Sequence, residues 1–327
     1  MTPVPVSVIT GFLGSGKTTL LSRLLRDPAL ERTAVIINEF GAVGLDHLLV
    51  ESSDEQILTL EGGCVCCTVR GDLVRTAGDL LARRAAGAVA PFERIVVETT
   101  GLADPAPIVH ALMTDRDVAD ALRLESVIAT VDAAAGAGTL DAHPESVKQA
   151  ALADRIVLTK TDLADPAANG LAARLQALNP AAPKLPAVHG AVDAGRLFDG
   201  RAYDPALYDP ALYGAPAHRH DDIRAFCLRR ETPLHAATLS LFLQVLAEHC
   251  GARLLRLKGL VDVVESPGRP AVIHGVQHVF HPPAWLDAWP DGDRGTRMVV
   301  ISQGLDEQWL RDLLELLDQE VTACSIS

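Results

Sequence analysis

Short, largely aliphatic runs punctuate the first part of the chain: Val4–Ile9, Ala34–Ile37, Gln56–Leu60, Arg94–Val97, Ser126–Val131 and Arg155–Leu158. Stretches with helical spacing separate them, as over Lys17–Arg26, Gly71–Ala86 and Ala167–Leu178. Strands that are apolar at nearly every position are buried on both faces. Alternation with helices therefore predicts a mainly parallel sheet with helices on both sides, an α/β fold. Sheets of this kind bind ligands at the carboxyl ends of their strands.

The pattern breaks after residue 195. Tyr203–Gly214, YDPALYDPALYG, duplicates a short Pro- and Asp-rich unit and reads as part of a linker over 196–221. A second pattern follows. It comprises strand Ile223–Arg230, helix His235–His249, strands Arg253–Val263, Ala271–Phe280 and Arg297–Ser302, and helix Glu307–Glu320. Leu239, Phe242, Leu243, Leu246 and Ala247 form the buried stripe of the first helix. This βαβββα order predicts a small α+β domain over 222–327, with an antiparallel sheet and helices on one face. The division is thus 1–195, 196–221 and 222–327.

Composition narrows the function. The 327 residues include 29 Lys+Arg and 42 Asp+Glu, a net charge of −13. Such a surface repels phosphate backbones, so no nucleic-acid partner is expected. No apolar run reaches the ~18 residues of a membrane helix, and the N-terminus lacks a basic leader, so neither membrane nor export is expected. Six cysteines in that context predict free thiols in a reducing, cytoplasmic setting.

Gly11-Phe12-Leu13-Gly14-Ser15-Gly16-Lys17-Thr18 matches G-x-x-x-x-G-K-[ST] between a strand and a helix. Glycines let backbone N–H groups turn inward around a phosphate. Lys17 reaches the β/γ oxygens, and the Thr18 hydroxyl ligates Mg²⁺. Thr19 completes the phosphate-contact set. A P-loop nucleotide fold follows. Arg94–Gly101, RIVVETTG, ends a strand in Glu98, placed to contact the metal or orient water, with Gly101 facing the γ-phosphate. Thr159-Lys160-Thr161-Asp162 follows the sixth strand. Asp162 would accept two N–H bonds from guanine and Lys160 would lie over the ring, so GTP and GDP are expected rather than ATP.

Gly62-Gly63-Cys64-Val65-Cys66-Cys67 follows the third strand. Three thiols on a glycine turn can converge on a soft or borderline ion: Zn²⁺, Cu⁺ or Co²⁺. Arg70 would lower a thiol pKa. Buried packing of small thiols, or a strained Cys66–Cys67 disulfide, are the alternatives. His110, on the helix after the fourth strand, reads as a packing residue, and His218 and His220 as solvated linker histidines. His274 and His278 share a polar strand face, with His281 just beyond.

Gly11–Thr18, Asn38-Glu39-Phe40-Gly41, Gly62–Cys67, Glu98–Pro105 and Thr159–Asp162 together resemble the CobW-type P-loop GTPases. That family includes zinc metallochaperones, cobalamin-synthesis proteins and nitrile hydratase activators. Arg256–Gly259, Gly275–His278, Trp285 and Arg297–Ser302 extend the resemblance to the C-terminal half. The resemblance implies GTP hydrolysis coupled to metal delivery to a client protein. Cys64, Cys66 and Cys67 would carry the metal, and Glu39 and Asp46 would contact Mg²⁺ or the transferred ion. Zinc storage or sensing with incidental hydrolysis is one other reading, and a cobalt/cobalamin-synthesis or nitrile hydratase activator-type member is another. Two departures stand out. Thr159 replaces a common Asn, which alters loop support, and Ala42 replaces an acidic residue found in many relatives.

Overall fold

The computed structural model describes residues 3–37, 57–59, 68–164, 170–198, 222–280, 282–290 and 292–326. The chain forms two compact units: residues 1–172 with 182–202, and residues 203–327 with 173–181.

The first unit holds β1 (Val4–Gly11), α1 (Lys17–Leu24), β2 (Thr33–Ile37), β3 (Ile57–Thr59), α2 (Thr68–Ala85), β4 (Arg94–Glu98) and α3 (Pro105–Thr114). It continues through β5 (Leu122–Asp132), α4 (Gly136–Ala142), α5 (Pro144–Leu152), β6 (Arg155–Thr159), the first two residues of α6 (Leu171–Leu178, the rest of which counts with the second unit), β7 (Lys184–Ala187) and α7 (Ala194–Leu197). The strands make one sheet in the order β3-β2-β4-β1-β5-β6-β7. Every neighbouring pair is parallel. Consecutive residues Val6, Ser7, Val8 and Ile9 are all buried, so both faces of the central strand are covered, as expected. On one face Ile9, Val35, Val96, Ile128 and Val157 pack with Leu20, Leu21 and Leu24 of α1.

The seventh strand, β7, is additional to the six expected. Its four residues include Pro186, which has no N–H for a ladder and therefore suits only an edge. Here β7 pairs with β6 alone. The register matters more for function. Ile9 stands opposite Glu98, Gly11 opposite Thr130, and Asp132 opposite Thr159. The carboxyl ends of β1, β4, β5 and β6 thus form one continuous rim.

The second unit runs β8 (Ile223–Arg230), α8 (Ala236–Val245) with a π-turn at Leu246–Cys250, β9 (Leu254–Val261), β10 (Ala271–Val276), β11 (Val279–Phe280), β12 (Ala284–Trp285), β13 (Thr296–Gln303) and α9 (Glu307–Ile326). Its sheet is antiparallel, in the order β11-β10-β9-β13-β8 with β12 beside β10. Alternate strand residues Phe226, Leu228, Leu257, Val261, Ile273, Met298 and Val300 share one core with Leu239, Phe242, Leu310 and Leu314 of the helices.

The strand expected over Ala271–Phe280 is instead a hairpin of β10 and β11. Gln277 adopts φ +51° at its turn. A Cβ on Gly275 would lie 2.4 Å from the Phe280 ring, so only glycine lets that ring fold back. His278 therefore sits in the turn, and His274 and His278 do not share a strand face.

Candidate functional site

The loop between β1 and α1 is built around glycine. At Gly11, φ is +143° and a Cβ would fall 2.2 Å from Thr130 Oγ1. No other residue fits between the loop and β5. Gly16, left-handed at φ +92°, precedes α1 and makes no side-chain cap. The first backbone N–H groups of α1 therefore face outward at the positive end of the helix dipole, an anion cradle.

Lys17 is buried and donates from Nζ to the Gly11 and Phe12 carbonyls at 3.0 and 3.2 Å. The ammonium is thus folded over the loop that it would serve. Thr18 Oγ1 donates to Glu98 Oε1 at 2.8 Å, and Glu98 is buried at the end of β4. A hydroxyl and a carboxylate at this spacing are hard oxygen donors, the set that suits Mg²⁺. The two oxygen donors expected on sequence grounds are thus brought together. Ser15 Oγ and Thr130 Oγ1 lie 2.6 Å apart, fastening the loop to β5. Thr19 is exposed on the first turn of α1.

The expected base loop follows β6. Thr159 Oγ1 donates to the Ser15 carbonyl at 2.7 Å, so threonine at this position still braces the phosphate loop. Lys160 is left-handed at φ +54°. Its Nζ donates to the Gly14 carbonyl at 2.8 Å and to Asp132 Oδ2 at 2.6 Å. Asp132 Oδ1 also accepts from the Ala134 and Ala135 amides, at 2.8 and 3.1 Å. Burial alone would raise the Asp132 carboxyl pKa, but Lys160 and the two amides outweigh it and hold the group below its ordinary range. Asp162 is exposed on the single 3-10 turn Thr161–Leu163.

Beyond Glu98, the loop to α3 is held at both ends. Thr99 donates its N–H to the Ile9 carbonyl and its Oγ1 to Thr10 Oγ1, each at 2.9 Å. Asp104 caps α3 by accepting from Ala106 N at 2.9 Å. Gly101 lies against the phosphate loop, because a Cβ there would come within 2.6–2.8 Å of Leu13. His110, on α3, has its Nδ1 3.3 Å from Thr114 Oγ1.

Thr130, Asp132 and Gln149 were not among the expected residues. Asp132 carried one signal, as a carboxylate at the carboxyl end of a strand. Gln149 carried another, as an amide in an apolar stretch of helix.

Several expected residues lie outside the described ones: Glu39, Asp46, Cys64, Cys66, Cys67, His218, His220 and His281. Their chain positions are bracketed. β3 ends at Thr59 and α2 begins at Thr68, and the thiol cluster falls between. Among the described residues no cluster of three or more His, Cys, Asp or Glu side chains is placed to hold a metal ion. Burial pushes the Cys227 thiol up to about 11, which leaves it protonated and unreactive near neutral pH.

Residues 5–186 match the family model for the CobW/HypB/UreG nucleotide-binding domain. Residues 223–317 match that for the cobalamin synthesis protein CobW C-terminal domain. Over 314 residues the chain is 33% identical to the zinc chaperone YjiA of Escherichia coli, covering 95% of this chain and 98% of that relative. It is 32% identical over 352 residues to the zinc chaperone CobW of Pseudomonas aeruginosa, covering 93% and 88%. The crystal structure of the Zn(II)-bound YjiA GTPase from E. coli aligns with a TM-score of 0.72 at 28% identity, over 97% of this chain and 99% of that one. A phosphate cradle, a strand-end carboxylate and two adjoining family matches converge, and this chain belongs to the CobW/HypB/UreG family.

Proposed function

We propose that this chain is a GTP-hydrolysing metallochaperone of the cytosol. It binds a transition metal, zinc first and cobalt second, through Cys64, Cys66 and Cys67, and couples the GTP cycle to delivery of that ion to a client protein. The observation that carries the nucleotide half is the Thr18–Glu98 contact of 2.8 Å above the Lys17 cradle. The similarity to zinc chaperones supports the metal half.

In this reading Gly11, Gly14, Ser15, Gly16, Lys17, Thr18 and Thr19 surround the phosphates. Lys17 exchanges the Gly11 and Phe12 carbonyls for phosphate oxygens, and the Gly101 N–H meets the γ-phosphate. Mg²⁺, held by Thr18 and Glu98, neutralises phosphate charge when bound. Glu98 also orients water. Lys160 covers the base and Asp162 reads its Watson–Crick edge, giving guanine preference. Glu39 assists at the metal. The working division of the chain is a GTPase domain over 1–195, a linker over 196–221 and a C-terminal domain over 222–327.

Coupling between nucleotide and cargo is reciprocal: if a GTP analogue tightens metal binding, metal tightens binding of that analogue by the same factor. The test is a zinc and cobalt titration followed by thiolate absorption, with and without a nonhydrolysable GTP analogue. One ion per chain, lost on replacing Cys66 and Cys67 by Ser and tightened by the analogue, is the expected result. Binding indifferent to nucleotide overturns coupling and leaves a zinc store. No thiolate band under any condition overturns the metal site.

A further inference from the structure

Gln149 is a polar residue placed where packing alone would select an aliphatic one. Its surface is only 1% exposed, and on α5 it stands among buried Val147, Ala150, Ala151 and Leu152. A buried amide without partners costs about 1–3 kcal/mol, so such a residue persists when its bonds are needed. Its Nε2 donates to the Gly101 carbonyl at 3.1 Å and to the Ala103 carbonyl at 3.0 Å. Both donors of the amide therefore go to the loop joining β4 to α3.

That loop leaves Glu98 pinned at Thr99 and reaches α3 pinned at Asp104. Gln149 grips the stretch between the pins from α5. From the other side Gly101 abuts Leu13 of the phosphate loop. Gly101 is thus held between Leu13 and the amide of Gln149. A carbonyl fixed in direction fixes its own peptide plane, because that plane is rigid, so Gln149 sets the planes that follow Gly101 and Ala103. The Gly101 N–H lies in the preceding plane with the Thr100 carbonyl, which accepts from Ala103 N and Thr99 Oγ1 at 3.2 Å each. The hold of Gln149 on Gly101 and Ala103 therefore bears on it through Ala103.

We infer that Gln149 is a positioning residue that aims Gly101 at the γ-phosphate, and so sets both the preference for GTP over GDP and the rate of hydrolysis. The inference rests on the nucleotide site proposed above. GDP lacks the group in question and serves as an internal control.

Gln149→Leu keeps a side chain at the buried position and removes both donors. A nonhydrolysable GTP analogue should bind about tenfold more weakly to it, with GDP affinity within about twofold of the parent. kcat should fall by about tenfold or more while KM changes less. An unchanged ratio of analogue to GDP affinity together with an unchanged kcat overturns the inference. So does an equal loss of both nucleotides accompanied by a lowered thermal midpoint, which marks a merely structural role. Gln149→Met, similar in volume and also without donors, is measured the same way and replaces the leucine variant if that one does not fold. Lys17→Ala, run in parallel, separates the two readings. Undiminished hydrolysis in that variant defeats the nucleotide site itself, whereas its loss alongside a parent-like Gln149→Leu defeats only the role of Gln149.

Discussion

The Thr18 hydroxyl donates to the Glu98 carboxylate across 2.8 Å, joining the first turn of α1 to the end of β4. The two residues are 80 positions apart, and parallel pairing of β1 with β4 brings them to one rim. Two oxygen donors serving one ion act as a unit, so their removals should not add. Thr18→Ala and Glu98→Gln are each expected to lower kcat by about 10²-fold and to raise the Mg²⁺ concentration giving half-maximal rate. The double variant should be little worse than either one. Steady-state GTP turnover against Mg²⁺ for the three proteins checks this. Fully multiplicative losses would mean that the two side chains work separately.

Lys160 is shared between Gly14 and Asp132, and together with Thr159 it ties the loop after β6 to the phosphate loop. Asp132→Asn retains an oxygen for the Ala134 and Ala135 amides but removes the charge beside the ammonium. Lys160 is partly exposed, with a side-chain exposure of 40%, so the effect is discounted for screening. GTP affinity should fall about three- to tenfold. Tripolyphosphate, which has no base, should bind as it does to the parent. Calorimetry with both ligands decides the matter, and equal losses would place the effect in the phosphate loop instead. The carboxyl is held below its ordinary value, so its contribution to stability is present above about pH 4 and is lost as the pH falls through the folded value.

Gly101→Ala probes the opposite wall of the cradle. Its Cβ would approach the Leu13 backbone to 2.7–2.8 Å, a distance that backbone atoms must move to relieve. Hydrolysis should drop by about 10²-fold or more, because small misplacements of reacting groups are costly. Replacing the exposed Leu13 side chain by Ala should not restore it, since two of the three closest atoms are backbone. Recovery in Leu13→Ala/Gly101→Ala would assign the clash to that side chain alone.

How far these features are legible in the chain follows from how local they are. The phosphate loop is local: its glycines and Lys17 lie within one turn, and their spacing dictates the geometry. The positions of Glu98 at the end of a strand and of Asp162 just beyond one follow from the apolar runs before them. Asp132 and Gln149 depend instead on partners 28 and 48 residues away. No short window contains their roles. The edge strand β7 was hidden by Pro186 and its length of four. The β10–β11 turn was masked by the apolar residues flanking it, Val276 and Val279, although Gly275 marked the close approach of Phe280.

Lys184, at the start of edge strand β7, is pushed by burial from 10.5 down to about 8. A lysine with a depressed folded pKa works against the folded state where it is charged, because the unfolded chain holds the proton more tightly. The penalty is complete below about pH 8. It is relieved as the pH rises from there towards 10.5, the interval in which the unfolded chain binds more protons than the folded one. Lys184→Met keeps the aliphatic stem and removes the charge. Its thermal midpoint at pH 7 should exceed that of the parent, by about 2–4 °C for each kcal/mol relieved. The advantage should shrink steadily between pH 8 and 10.5 and be small above it. Melting curves of both proteins across that range measure it. A constant difference at every pH would show that packing of the methionine, and not titration of the lysine, was the cause. A lowered midpoint at pH 7 would show that the ammonium stabilises the edge strand after all.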